Sequence, residues 1–312
     1  MSDPATAPHA RGDGPKGRLA LLHDAPALLL TLTALFWAGN AIAGQLARDQ
    51  IQPFTLVLIR WLAVAAILWP LYGHEVRAYW HVARPKLLRI VLMATLGFTC
   101  FNALFYVASL STTAVNIGIL QGSMPVFVLI GCALAFGDRV RPVQAAGVAL
   151  TLVGVVLVAT GGDLAAMIES GINPGDGVML AACVLYSFYT LALRGRPDMP
   201  GRAFFTLMCM IAAVAAIPFA AGEALVTGGQ WPTLEGWAVA AYVAVFPSCL
   251  AQLFFLRGVD LIGPGRAGVY INLVPVFAAI LAVVLLGQPF FTHHAVALVL
   301  VLGGIWLAQR PG

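Results

Sequence analysis

Arg60 is the residue that a hydrocarbon environment would tolerate least. It stands seven residues past Pro53 in an apolar run, roughly 10 Å below the start of a helix that rises about 1.5 Å per residue, and a snorkelling side chain recovers only part of that depth. An ionisable group so placed lines a cavity or pairs with something. Its planar guanidinium is shaped to hold a carboxylate on two hydrogen bonds; the blander reading is a structural arginine bonded to backbone carbonyls. Other apolar runs carry polar and aromatic groups in pairs: Trp37 and Asn40, Asn102 and Tyr106, Gln121 and Ser123, Tyr186 and Tyr189, Ser248 and Gln252, Tyr270 and Asn272. Any single amide reads as an interhelical hydrogen bond worth about 0.6–2 kcal/mol. Together with Arg60 they read as the lining of a polar cavity for a small molecule.

Other chemistries lack their residues. The 13 acidic residues read as lying in the tail, in loops or at the edges of apolar runs, so a buried carboxylate relay is not expected. His293 and His294 stand at the start of the last run and read as solvated interfacial groups. There is no HExxH, no pair of carboxylates at depth and no Ser or Cys beside a His, so catalysis is not expected. Cys100, Cys132, Cys183, Cys209 and Cys249 show no CxxC spacing and read as small apolar side chains. No metal, cofactor or nucleic-acid partner is implied.

What positions these residues is a membrane architecture. Of 312 residues, 61% are hydrophobic and 10% charged, with a mean hydropathy of +0.91; soluble domains run near 25% charged. Residues 1–26 are polar, unlike a signal peptide, and read as a disordered tail. Beyond them, runs of about 20 apolar residues, the length that crosses a bilayer, number ten: 27–47, 53–72, 87–108, 113–136, 142–160, 175–193, 203–222, 235–256, 265–287 and 292–309. Of the 17 Lys and Arg, 15 fall on the side of the N-terminus, from Arg11 and Arg89 through Arg139, Arg194 and Arg257 to Arg310; Arg48 falls opposite and Arg60 within a run. The positive-inside rule then predicts both termini in the cytoplasm. Trp61, Trp69, Trp80, Trp231 and Trp237 read as an interfacial belt.

The chain is also written twice. At a constant offset of 150, 11 of the 40 positions from Gly118 to Leu157 are identical to their counterparts, including Pro125-Val126-Phe127 against Pro275-Val276-Phe277 and Gly137 against Gly287. Composition alone would give roughly a tenth. Two units of five spans, 27–160 and 175–309, must enter the membrane from opposite sides, as inverted repeats. Pro125 and Pro275 fall mid-span, where a proline frees the carbonyl four residues back, of Gln121 and Ile271; paired interruptions in two halves point to a binding site and to hinges. Gly154 and Gly304 read as sites of close helix approach.

The run Phe36-Trp37-Ala38-Gly39-Asn40 resembles the W-G-x-N opening of the drug/metabolite transporter superfamily, in its EamA branch. The Pro53 to Arg60 spacing is similar too, as is the stretch from Pro125 to Asp138, although Asp138 and Gln288 stand where the branch usually has Glu. The resemblance covers all ten spans. It implies an exporter of metabolites, amino acids or small drugs; the inverted repeat points to alternating access, and a single chain in a cytoplasmic membrane is the working expectation. The resemblance also implies a cavity surrounded by spans 1, 3, 4, 6, 8 and 9, with 5 and 10 peripheral. A small zwitterion, its carboxylate on Arg60, is the expected substrate; a hydrophobic cation would find no acid waiting.

Overall fold

A computed structural model describes residues 25–163 and 173–309. The tail read over 1–26 lies outside it except for its last two residues. The described residues contain helices and no strand. In chain order they are α1 Pro26–Leu46, α2 Pro53–Ala78, α3 Trp80–Ser109, α4 Ala114–Phe136, α5 Pro142–Ala159, α6 Pro174–Gly195, α7 Gly201–Thr227 and α8 Leu234–Ile262. Then come α9, in two pieces, Pro264–Ile271 and Leu273–Leu286, and α10, Thr292–Ala308. Among the described residues nine helices are long and apolar enough to cross a membrane, and α10 is an apolar helix of 17 residues. The protein is a multi-pass membrane protein.

Residue types set the helix ends. Pro26, Pro53, Pro142 and Pro174 stand in the first turns of their helices, where a missing N–H costs nothing. Gly137 and Gly287, 150 residues apart, close α4 and α9 with φ of 68° and 61°, the left-handed conformation that glycine adopts without strain. The loop expected over 73–86 is largely helical. α2 continues to Ala78, and Trp80–Ala83 and the 3₁₀ turn Arg84–Lys86 lead straight into Leu87, because no breaker interrupts Gly73 to Ala78.

The packing pattern repeats at the same offset. α1 packs on α9 as α6 packs on α4, and α3 packs on α6 as α8 packs on α1; α2 with α7, α4 with α9, and α5 with α10 pack on each other. The last contact is the closest. A Cβ built on Gly304 would lie 2.5 Å from the carbonyl oxygen of Gly147, and one on Gly154 would lie 2.9 Å from the carbonyl oxygen of Ala297. Shifting the pair Gly147–Gly304 by 150 in each direction gives the pair Ala297–Gly154, so the seam maps onto itself. The glycine reading holds, with each glycine facing a different partner than its own counterpart.

The bundle has two ends. At the near end, where α1 begins, Lys86 Nζ and Arg89 Nη1 donate to the carbonyls of Arg196 (3.1 Å) and Gly195 (2.9 Å), and Arg202 pairs with Glu75 (2.7 Å). At the far end the connections are tied together by neutral groups and by Arg48, Asp176 and Glu223. Arg48 Nη2 donates to the carbonyl of Thr112 (2.8 Å). Glu223, on α7, accepts from the amides of Phe54 (2.9 Å) and Thr55 (2.7 Å) at the start of α2, an acid where a helix N-terminus favours one.

Candidate functional site

Two turns inside the bundle are wider than α-helical. Thr95–Cys100 in α3 and Ala244–Leu250 in α8 are π-helical, again 150 residues apart. A π turn breaks the i→i−4 ladder locally and commonly sits at functional sites; here it leaves carbonyls for side-chain donors. Phe98's carbonyl accepts from Asn102 Nδ2 (2.7 Å) and Trp61 Nε1 (3.3 Å). In α8, Pro247's carbonyl accepts from Trp37 Nε1 (3.1 Å).

Held by Phe98, Asn102 turns its Oδ1 to Arg60. Arg60 is only 5% exposed, and its Nη1 donates to Asn102 Oδ1 (2.6 Å), Tyr106 Oη (2.8 Å) and, at longer reach, Asn40 Oδ1 (3.3 Å). Tyr106 Oη in turn donates to Asn40 Oδ1 (2.8 Å). The guanidinium lies 5.0 Å from the centroid of the Trp61 ring, a cation–π distance. Its Nε is buried without a hydrogen-bond partner. No carboxylate among the described residues pairs with it. The arrangement is a buried cation held by three neutral oxygens with donor capacity unused.

A chain of rings leads away from this cluster. Trp61 stacks on Phe98 at 4.8 Å, Phe98 meets Tyr189 edge-on at 5.5 Å, Tyr189 meets Tyr186 at 5.3 Å, and Tyr186 lies 5.0 Å from Phe101. Gly97 permits this, since a Cβ there would lie 2.4 Å from the Tyr189 ring. Trp61 is therefore a buried member of the cluster, not of an interfacial belt; Trp80, Trp231 and Trp237 are the exposed tryptophans of that set.

The structure brings Asn40, Arg60, Asn102 and Tyr106 together and joins Tyr186 and Tyr189 to them through rings. The other residues singled out in the sequence stand apart. Trp37 belongs to the α1–α8 contact, 5.4 Å from the Phe255 ring. Ser123 Oγ donates to its own helix at Leu120 (2.7 Å), and Ser248 Oγ does so at Val243. Asn272 Nδ2 reaches Gln309 Oε1 (3.4 Å). Gln121, Gln252 and Tyr270 are half-buried. The prolines break their helices one turn earlier than a mid-helix kink would. α4 is interrupted at Gly122–Ser123 and α9 at Asn272, so Pro125 and Pro275 each fall in the first turn of a new segment.

Two further corrections concern titratable groups. His294 is buried, and its Nδ1 accepts from the amide of Phe291 (3.1 Å); Gln144, its counterpart, accepts from the amide of Arg141 in the same way (3.1 Å). Asp176, read as a loop acid, lies in the first turn of α6 and is 1% exposed. Its oxygens accept from the Thr112 hydroxyl and from Asn116 Nδ2 (3.1 and 3.3 Å). The sequence signal was available: Asn173-Pro174-Gly175-Asp176 is a helix start with an acid in the first turn. At the positions where the resembled branch carries Glu, Asp138 pairs with exposed Arg194, and Gln288 Oε1 accepts from the amide of Ala114 (3.0 Å).

The pattern of a family described as the EamA-like transporter family matches residues 25–160 and 173–309. An uncharacterized transporter of Archaeoglobus fulgidus is 30% identical over 90% of this chain and 96% of its own length. A probable amino-acid metabolite efflux pump of Salmonella typhimurium is 23% identical over 89% of this chain and 93% of its own. A solved protein structure superposes with a TM-score of 0.62 at 20% identity, covering 91% of this chain and 96% of that one, which supports the fold.

Proposed function

The chain belongs to the EamA-like transporter family, and from that premise we propose that it exports small zwitterions such as amino acids by alternating access. The observation that carries this is Arg60: a buried guanidinium with an unpartnered Nε and only neutral oxygens on Nη1. A buried charge is costly unless paired, and a substrate carboxylate is the missing counter-charge. An apolar side chain would then lie along Trp61, Phe98 and Tyr189. The efflux pump named above supports an amino-acid substrate.

The inverted relation of the halves rests on the α5–α10 seam that maps onto itself and on the matched π turns. The interrupted prolines serve as hinges between half-helices, and Gln121, Ser123, Ser248, Gln252, Tyr270 and Asn272 line the path through which substrate passes. The near end, with its arginines and lysines, faces the cytoplasm, and the chain works as a monomer in the cytoplasmic membrane.

The test is uptake of labelled amino acids into proteoliposomes containing the purified wild type, Arg60→Lys or Arg60→Ala. Hydrogen bonds to a charged group contribute about 1.5–3 kcal/mol, so Arg60→Ala is expected to weaken substrate affinity by about tenfold to more than a hundredfold, and Arg60→Lys by less. Wild-type transport by a well-inserted Arg60→Ala would overturn the carboxylate contact.

A further inference from the structure

We propose that the groove between α3 and α6 at the near end holds one anionic phospholipid, its phosphate on Lys86 and Arg89 and one acyl chain on the apolar walls below them. The inference rests on the chain's place in a membrane and is independent of its substrate and of the direction of transport.

The groove has a volume of about 590 Å³, within the range of about 300–1,000 Å³ usual for ligand sites. One wall is α3 from Pro85 to Leu96, and the other is α6 at Phe188, Tyr189 and Ala192. α3 starts at the near end and α6 finishes there, at Gly195. Lys86 and Arg89 therefore stand at the mouth. Leu92 and Leu96 follow Arg89 at helical spacing, the second about 10 Å deeper at a rise of about 1.5 Å per residue. Leu88, Leu92 and Phe188 are each more than half exposed, although they are apolar and belong to helices long enough to cross the membrane; they face hydrocarbon. Met93 is buried and, with Tyr189, backs the groove. Because α3 belongs to the first half of the chain and α6 to the second, an occupant of this groove touches both.

The charge at the mouth is uncompensated among the described residues. Lys86 Nζ and Arg89 Nη1 donate to the carbonyls of Arg196 and Gly195, at the end of α6, where a cation is favoured. Each spends one donor there, and lysine carries three and arginine five. Gly195 makes room for this, since a Cβ on it would overlap the Arg89 guanidinium. The acids that form ion pairs with arginine at this end, Glu75 and Asp138, are taken by Arg202 and Arg194.

These features select the occupant. A water-soluble anion would pair with the two cations and leave the apolar walls uncovered. A zwitterionic headgroup would bring a cation of its own beside Lys86 and Arg89, and a neutral lipid would leave both unpaired. An anionic phospholipid supplies phosphate oxygens for the remaining donors and a chain for Leu88, Leu92 and Phe188. Basic pockets between membrane helices at headgroup level take such lipids. Exposed Trp80, at the start of α3, marks that level.

The experiment uses the full-length protein, stripped of co-purified lipid in mild detergent. Bound lipid is counted by native mass spectrometry during titration with dioleoyl phosphatidylglycerol or dioleoyl phosphatidylcholine. Wild type is expected to bind one phosphatidylglycerol in preference to phosphatidylcholine, and the double variant Lys86→Gln, Arg89→Gln to bind it about thirtyfold more weakly. The double variant Arg139→Gln, Arg141→Gln, which removes the same charge from exposed positions in the α4–α5 connection, is expected to keep wild-type binding. Leu92→Trp, which fills the groove and leaves its charge intact, is expected to weaken it. Equal affinity of wild type for the two lipids, wild-type binding by the Lys86 and Arg89 variant, or the same loss in both double variants would overturn the proposal. So would glycerol phosphate, which has the headgroup without the chains, binding as tightly as the lipid. If the Lys86 and Arg89 variant fails to fold, Leu92→Trp decides: undiminished phosphatidylglycerol binding in it sinks the site.

Discussion

His294 shows how one side chain's role can be read from its counterpart in the other half. It stands at the third position of α10, where it accepts the amide of Phe291, as Gln144 accepts the amide of Arg141 at the start of α5. A lost end-cap costs typically about 1 kcal/mol. His294→Ala is expected to lower the thermal midpoint of the purified protein, and His294→Gln, which reproduces the α5 cap, to restore most of it; equal losses in both variants would show that burial, not the cap, sets the residue. Arg60, Asn40, Asn102 and Tyr106 were legible from the sequence because polar atoms at membrane depth must find partners. Trp61 was misread because its position near an end of the apolar run says nothing about which way its ring turns. Asp176 was misread because the second position of the run 175–193 is an edge where an acid is ordinarily solvated, and nothing local shows that Thr112 and Asn116 close over it.

At the scale of helices, nine runs long and apolar enough to cross a membrane were readable among the described residues, since length sets them, and Pro26, Pro53, Pro142 and Pro174 marked where four of them start. The π turns were not: Pro247 within Ala244–Leu250 announces a broken ladder but not a widened turn, and Thr95–Cys100 holds no proline to announce even that. Yet that turn aims Asn102 at Arg60. The α5–α10 seam was half legible. Glycines announce close approach, but not their partner. A Cβ on Gly304 would meet Thr151 Oγ1 at 2.2 Å as well as the Gly147 carbonyl, and backbone cannot give way as a flexible side chain can. Gly304→Val is expected to destabilise the protein by about 1–3 kcal/mol, while Gly303→Val, where the space is open to ordinary contact, should cost less. Matched thermal midpoints for the two variants would refute the seam's geometry.

For the molecule as a whole, the distribution of charge is the plainest signal. Arginines and lysines at the helix ends and turns where α2 meets α3, α4 meets α5 and α6 meets α7 gather at the end where α1 starts, and Arg48 stands at the other. If this bias orients the protein, reporters fused to either terminus will be active only when they work in the cytoplasm. A periplasmically active reporter at the C-terminus alone would mean that one apolar run does not cross, and the shortest helix, α10, would be the first to doubt.

The seam between α5 and α10 carries a consequence beyond stability. In the inverted arrangement proposed above, its contacts are unchanged when the two halves trade places, so two identical five-helix chains, one inserted each way, would satisfy it as well as the fused protein does. A gene of half this length, encoding a chain indifferent to its own direction of insertion, is thus a workable ancestor. Joining two copies end to end would have freed each half to differ: an acid on α6 without a counterpart on α1, and an arginine on α2 without one on α7.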